Sequence, residues 1–343
     1  STPVLWNDKI FLTTVTREAR RVWCYSTHTG EQLWMTEVPD GAPNGLELPQ
    51  VTEDTGYAAS SPACDKNLVY VIFATGDLAA LNHNGEIVWH RFLGRPANSY
   101  GHASSLTYQG NMLLIQWDQD EDAKIMAVST TDGTTIWESA REEGMSWSTP
   151  IVMQTCDKPI VLVHACDSTW GVELATGKKL WDVNAVGGEV APSITWENDT
   201  WVAANCYSRM VAYKLQPDPA LPPERLWIWE DGNLPDVASP VMQDNLIYYA
   251  TDAGEIACHD LKDGQLIWIK EFDNGYYASP IIANGRLYAV DREEGDFRVF
   301  ETGRAGQELA HNPMGEAVFA TPAFVEGAIF IRGTKHLWRV SGE

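Results

Sequence analysis

The chain has 343 residues, 44% of them hydrophobic, with 27 Gly, 18 Pro and 15 Trp; 24 Lys and Arg stand against 47 Asp and Glu, giving a formal charge of −23. A field of that sign repels polyanions, which sets aside nucleic acid and anionic lipid surfaces as partners. No apolar run approaches the roughly 18 residues of a spanning helix, and Ser1 is not followed by a basic and then apolar signal segment, so the chain reads as soluble with any export signal already removed.

Length alone suggests roughly two domains of about 150 residues, unless one large β architecture absorbs the whole chain. A period running from end to end points to the second case, a single domain over 1–343. A small residue followed by proline recurs as Thr2-Pro3, Ser61-Pro62, Thr149-Pro150, Ala191-Pro192, Ser239-Pro240, Ser279-Pro280 and Thr321-Pro322, with Ser105-Leu106 in the vacant slot. The steps are 59, 44, 44, 42, 48, 40 and 42 residues. A second series, out of phase with the first, holds Trp34, Trp89, Trp137, Trp181, Trp227 and Trp268, with Leu309 in the seventh place. Two independent markers keeping one count define a repeat architecture.

Within a repeat the pattern is β throughout. After the small-Pro pair comes a short alternating run, then a turn such as Asn284-Gly285, Asp244-Asn245 or Glu326-Gly327, then a second run rich in β-branched and aromatic residues. A third run leads through Thr29-Gly30, Asn84-Gly85, Asp132-Gly133, Thr176-Gly177 or Asp263-Gly264 into the Trp-bearing fourth. Each repeat is expected to be a four-stranded antiparallel meander of about 42 residues, without helices beyond a turn or two. Such a sheet cannot bury both faces alone, and radial closure also protects its edges, so the expected class is an all-β, eight-bladed β-propeller. One large indole per repeat can wedge between neighbouring sheets while its N–H reaches a backbone acceptor. The eighth repeat, 320–343, supplies only three strands, so the expectation is an open or weakly closed seam; closure by an unseen strand upstream of Ser1 is the alternative.

The fourth-strand motifs Cys24-Tyr-Ser-Thr-His-Thr-Gly-Glu-Gln-Leu-Trp34, Ala127-Val-Ser-Thr-Thr-Asp-Gly-Thr-Thr-Ile-Trp137, Gly171-Val-Glu-Leu-Ala-Thr-Gly-Lys-Lys-Leu-Trp181 and Cys258-His-Asp-Leu-Lys-Asp-Gly-Gln-Leu-Ile-Trp268 resemble the tryptophan-docking repeat of quinoprotein propellers over essentially the whole chain. Ser99-Tyr-Gly-His-Ala-Ser-Ser105, Ser146-Trp-Ser-Thr-Pro150 and His336-Leu-Trp-Arg-Val-Ser-Gly-Glu343 look like the pyrroloquinoline-quinone-binding-like repeat proteins of planctomycetes and related bacteria. The propeller lipoprotein of the outer-membrane β-barrel assembly machine is similar in repeat type. The resemblance implies an exported bacterial propeller, periplasmic or extracellular, with a lipid anchor upstream of Ser1 left open.

The alcohol-dehydrogenase branch of such propellers would add an adjacent Cys-Cys pair under the quinone, an acidic and amide set holding calcium, and a catalytic Asp. Here Cys24, Cys64, Cys156, Cys166, Cys206 and Cys258 include no adjacent pair. They read as reduced core thiols, with Cys156 and Cys166 the candidate disulfide if one forms. The acidic clusters Asp118-Gln-Asp-Glu-Asp122 and Glu293-Glu-Gly-Asp296 fall where hairpin tips belong and read as solvated turns rather than calcium loops. Cys-x-x-Cys, His-Glu-x-x-His, Gly-x-Ser-x-Gly and a phosphate loop are all missing from the sequence. The expectation is therefore no catalytic residue, no metal and no cofactor, with pyrroloquinoline quinone and calcium as the alternative.

The candidate site comes from position. Residues entering the innermost strands, Tyr57, Tyr100, His102, Trp147, Glu189, Asp236, Tyr276, Tyr277 and Phe319, are expected to ring one mouth of a central channel. Aromatics with carboxylates around a concavity suit a sugar, peptide or planar ligand; the same side chains could instead plug the channel, the reading favoured for Trp147 and Phe319. His102 with Glu189 or Asp236 would suit acid–base work if hydrogen-bonded. Two insertions, Pro39 to Thr55 and the proline-rich Gln216 to Pro223, are either interaction loops or surface excursions. The expected function is a non-catalytic binding or scaffolding propeller presenting loops to a protein or glycan partner. The alternative is a dye-linked quinoprotein dehydrogenase for an alcohol or sugar, and a lectin-like module is a third reading.

Overall fold

The computed structural model describes residues 1–17, 19–154, 158–166 and 168–342. Every regular element among them is a β-strand. The strands form eight antiparallel sheets, each a consecutive meander, and together they are the blades of the β-propeller fold that the repeat count predicts. The first sheet runs Val4–Trp6, Lys9–Val15, Arg20–Ser26 and Gln32–Val38. The second spans 63–92, the third 107–140, the fourth 151–183, the fifth 195–229, the sixth 241–271 and the seventh 281–313. The eighth has three strands, Ala323–Val325, Ala328–Arg332 and Leu337–Val340.

The chain divides into two compact units. The first holds 1–150 with 175–178, and the second 151–174 with 179–343. In both, second strands such as Leu68–Ile72 and Ile160–His164 are covered on both faces and are near-continuous apolar runs. Fourth strands have one wet face, and Gln32–Val38 alternates accordingly. The first turns obey their residue chemistry: Asp244 and Asn245 take φ +55° and +61°, Asn284 and Gly285 +49° and +68°, the left-handed pair that matches strand twist.

Three devices repeat from sheet to sheet. The residue paired with each fourth-strand indole is small and buried: Cys24 with Trp34, Ala80 with Trp89, Ala127 with Trp137, Gly171 with Trp181, Ala212 with Trp227, Cys258 with Trp268. Directly after that pair the register shifts, a β-bulge that gives the fourth strand one extra residue. The seventh sheet corrects the sequence count by one position. There Val299 pairs with Ala310, so Leu309 is the bulged residue, 45% exposed, and Ala310 holds the indole's place.

Second, each indole reaches onward in the chain. Trp34 Nε1 donates to His83 O at 3.0 Å, Trp89 to Thr130 O at 3.0 Å, Trp181 to Pro219 O at 3.0 Å, Trp227 to Leu261 O at 2.7 Å and Trp268 to Gly303 O at 2.9 Å. Glycines lie against these rings because nothing larger fits. A Cβ on Gly85, Gly133, Gly177, Gly264 or Gly306 would sit 2.3–2.7 Å from a ring atom of Trp34, Trp89, Trp137, Trp227 or Trp268 respectively. Facing Trp181 the glycine turn is replaced by the proline-rich loop, whose Pro219 carbonyl still accepts the indole proton.

Third, hydroxyls link the innermost strands. In the first unit Thr2 N–H donates to Ser61 Oγ, Ser61 N–H to Ser105 Oγ and Ser105 N–H to Thr149 Oγ1, each at 3.0 Å. In the second, Ser193 N–H donates to Ser239 Oγ and Ser239 N–H to Ser279 Oγ at 2.9 Å, and Ser279 N–H to Thr321 Oγ1 at 3.0 Å. The fifth-sheet marker is therefore Ser193-Ile194 and not Ala191-Pro192. What recurs is the hydroxyl acceptor; proline accompanies it at most slots.

Candidate functional site

The expected mouth residues fall into two groups, one in each unit. In the first unit they are built into the wall. Trp147 Nε1 donates to both Asn98 Oδ1 and Gly101 O at 3.0 Å, and its ring meets Tyr100 edge-on at 5.2 Å. Tyr57 donates its hydroxyl to Pro49 O at 3.2 Å. His102 is 3% exposed, packed 4.8 Å from the Trp117 ring, and burial pushes its pKa down to about 4 against the smaller opposing effect of the Ser104 backbone. Such an imidazole is neutral at physiological pH. Of this group only Tyr100, 40% exposed, presents a large apolar face to solvent.

The 39–55 insertion is clamped rather than loose. Thr52 N–H donates to Tyr100 O at 3.3 Å, and Val51 packs where a Cβ on Gly101 would lie, 2.5 Å away. Asp40 bridges Arg20 at 3.4 Å and Arg95 at 3.3 Å, and Gly41 N–H donates to Asp77 Oδ1 at 2.9 Å. Asp77 is fully buried. Burial alone would raise its pKa, but hydrogen bonds from His90, Thr75 and Gly41 N–H, with the Arg20 charge, outweigh that and hold it below the usual carboxylate range.

The acidic cluster 118–122 splits in two. Asp120, Glu121 and Asp122 are exposed tip residues as expected. Asp118 is a correction: its side chain and that of Arg141 are both 0% exposed, paired at 2.9 Å, and Asp118 also accepts from Gln116 Nε2 and Ser146 Oγ at 2.7 Å. The cluster at 293–296 is a turn folded around Asp291, whose two oxygens accept the backbone N–H groups of Glu293, Glu294, Gly295 and Asp296 at 2.8–3.2 Å. Asp118 and Asp291 each stand just after a second strand; that single aspartate closing an apolar run is the signal that sequence reading passed over.

In the second unit the expected residues are mixed. Tyr276 is fully buried. Tyr277 carries the Arg292 guanidinium 4.5 Å above its ring and lies 6.1 Å from the Phe319 ring. Phe319, read as packing, is 43% exposed. Asp236 accepts from Cys206 Sγ at 3.4 Å; burial raises its pKa, the Asp252 charge adds to this, and Cys206 and Arg292 oppose it. Glu189 is exposed, and its backbone carbonyl accepts from Asn205 Nδ2 at 2.8 Å. A buried acidic residue of this unit was missed. Glu316 accepts from Lys335 N–H, Trp338 Nε1 and His336 Nδ1 at 2.6–2.9 Å; burial opposes, yet these bonds hold its pKa down to about 2.

The profile of the family described as outer membrane protein assembly factor BamB matches residues 1–142 and 224–309. The chain belongs to this family. BamB of Salmonella typhimurium is 27% identical over 255 residues, 69% of this chain and 62% of that protein, and BamB of Yersinia pestis 23% identical over 257 residues, with the same shares. The alignments thus span about 62% of the length of these curated relatives. Among solved structures, BamB from Moraxella catarrhalis superposes with a TM-score of 0.71 at 12% identity, covering 98% of this chain and 94% of that one. A europium-containing methanol dehydrogenase gives 0.68 at 10% identity, covering 96% and 81%, and the designed Ika8 protein 0.54 at 13%, covering 88% and 95%. At such identities these likenesses establish the fold alone.

The fold is therefore shared with BamB from Moraxella catarrhalis and with a europium-containing methanol dehydrogenase. A quinone-and-calcium centre of the dehydrogenase kind would need vicinal thiols and convergent oxygens. Cys24 and Cys258 instead lie buried opposite indoles, where burial pushes both thiols up to about 12, and Cys64 donates to Leu5 O at 3.6 Å. Cys156 lies outside the described residues, and with it the Cys156–Cys166 pairing. Among the described residues no group of three or more His, Cys, Asp or Glu could hold a metal ion.

Proposed function

We propose that this BamB-family chain is a non-catalytic scaffold of the bacterial envelope, periplasmic, that binds a protein partner in outer-membrane protein assembly. The observation that carries the reading is the fate of the mouth residues: Trp147 and Tyr57 give their donors to internal acceptors, and His102 and Tyr276 are buried at 3% and 0% exposure. What stays outward is apolar and borne on loops: Leu46 and Tyr100 in the first unit, Tyr207, Val237 and Phe319 in the second, 37–60% exposed. Loops on a rigid sheet scaffold with exposed aromatic anchors suit protein recognition. The family match supports the choice of process, and among the described residues no helix is long and apolar enough to cross a membrane.

The test is crosslinking in envelope preparations followed by identification of the captured chains. Components of outer-membrane protein assembly should be enriched, and Tyr100→Ala or Phe319→Ala should reduce the yield several-fold while leaving thermal stability unchanged. Stoichiometric binding of pyrroloquinoline quinone with calcium, accompanied by dye reduction in the presence of an alcohol or sugar, would overturn the reading in favour of a dehydrogenase.

A further inference from the structure

We infer that Asn44-Gly45, in the exposed turn of the 39–55 insertion, is a self-modifying site at which the Asn44 side chain loses its amide and becomes aspartyl or isoaspartyl. The inference does not depend on the scaffold reading. The only co-reactant is water. The Gly45 backbone nitrogen gives up its proton to hydroxide and bonds to Asn44 Cγ, the Cγ–Nδ2 bond breaks, and the amide leaves as ammonia. Water then opens the five-membered imide. If the new N–Cγ bond breaks, an aspartyl residue results; if the original peptide bond breaks, the main chain runs through Cγ and the residue is isoaspartyl. Glycine admits the ring closure because it has no Cβ to obstruct it.

The chain holds four Asn-Gly pairs, and the fold separates them. Gly85 is buried, its N–H donates to Asn82 O at 2.9 Å, and the Trp34 ring lies where its Cβ would be. Gly275 is wedged against the backbone of Asp252, and the Asn274 amide donates to Asp291 Oδ1 at 3.4 Å. Asn284 and Gly285 form a two-residue hairpin turn at φ +49° and +68°, so rotating Asn284 toward its neighbour's nitrogen would split the Ala283–Arg286 pair. Asn44 and Gly45 are under no such restraint. No strand lies between Val38 and Ala63, both residues are exposed, and nothing stands within 4 Å of the place of a Gly45 Cβ. Their turn is closed by one bond, Leu46 N–H to Pro43 O at 3.1 Å, which uses neither the Asn44 side chain nor the Gly45 N–H. Asp40, Gly41 and Thr52 anchor the insertion on either side, so the change stays local. It places a new carboxylate, and in the isoaspartyl form one more main-chain carbon, two positions before the exposed Leu46.

The test holds the full chain at pH 8.5 and 37 °C, samples it by peptide mass spectrometry and assays released ammonia, with a second sample kept unfolded in guanidinium chloride. In the folded chain the peptide carrying Asn44 should gain one mass unit several-fold faster than those carrying Asn84, Asn274 and Asn284, with isoaspartate found at position 44. In guanidinium chloride the four should convert at similar rates, because only the fold distinguishes them. Asn44→Gln, whose side chain would have to close a six-membered ring, should abolish the early ammonia release and leave thermal stability unchanged. An Asn44 as durable as Asn84 in the folded chain would overturn the site. So would equal conversion of all four pairs while folded, or an early ammonia release that persists in Asn44→Gln.

Discussion

Ser61 gives its backbone N–H to the hydroxyl of Ser105 at 3.0 Å, and Ser105 passes the same bond on to Thr149. The link joins residues 44 positions apart at the start of innermost strands and makes a side chain, not the ladder, the acceptor for the strand's first donor. Ser105→Ala should strand the Ser61 N–H in a half-buried place at a cost of about 1–2 kcal/mol, whereas Ser105→Thr should restore most of it. Urea unfolding would show the midpoint falling at constant slope. An unchanged midpoint in the alanine variant would mean that water replaces the hydroxyl without loss.

The glycine facing an indole can be separated from the glycine that merely turns. Gly133 and Gly30 hold nearly the same φ, +71° and +72°, but a Cβ on Gly133 would meet Trp89 Cε3 at 2.7 Å, while one on Gly30 would meet nothing within 4 Å. Gly30→Ala should thus cost only backbone strain, about 1 kcal/mol. Gly133→Ala should cost at least about twice that, because the ring must move and lengthen its bond to Thr130 O. In Trp89→Phe, which vacates volume, the Gly133→Ala penalty should shrink, and a double-mutant cycle measures the coupling.

These devices also show where sequence reading succeeds. Trp34 through Trp268 and the glycines facing them are visible because each needs one residue type at one place in a repeat, and the period makes the requirement redundant. Misplacements arose where geometry intervenes between spacing and position. The bulge after Val299 moves the indole's place from Leu309 to Ala310. Proline, the conspicuous half of the marker, drew the fifth repeat to Ala191-Pro192 although the relay runs through Ser193, whose N–H donates to Ser239 Oγ. At the candidate site the sequence could place Tyr276 and Phe319 near loop ends but not tell which faces inward, since burial depends on how loops from different repeats cross. Asp118 looked like one more carboxylate of an acidic tip because Arg141 lies 23 residues away.

That pair yields a sharp expectation. Asp118 and Arg141 are both sealed from solvent, so removing one charge leaves the other buried with its main neutralising partner gone. Asp118→Asn should destabilise by about 3–5 kcal/mol, whereas Asp118→Leu/Arg141→Met, which removes both charges, should be markedly less harmful. Thermal unfolding of the three proteins decides it. A double variant worse than Asp118→Asn would show that Ser146 and Gln116, which both donate to Asp118, matter more than the ion pair.

Acid should unfold the protein in two separable windows. His102 has an ordinary pKa of 6.5 and a folded value of about 4. Between the two, the unfolded chain takes up a proton that the folded chain refuses, so stability falls as pH drops through this range, by up to about 3 kcal/mol. His259, lowered by burial, acts in the same direction. Asp77 and Glu316 behave differently: their folded pKa values lie below the ordinary 3.8 and 4.5, so their contribution is intact above those values and is lost only as pH falls further. Urea midpoints measured from pH 7.5 to 3 should therefore decline in the wild type and decline less steeply above pH 4.5 in His102→Phe, where His259 still acts, with the loss below pH 4.5 unchanged by that substitution. A His102→Phe protein that loses stability over the upper window as fast as the wild type would show that this imidazole is not sealed from water in solution.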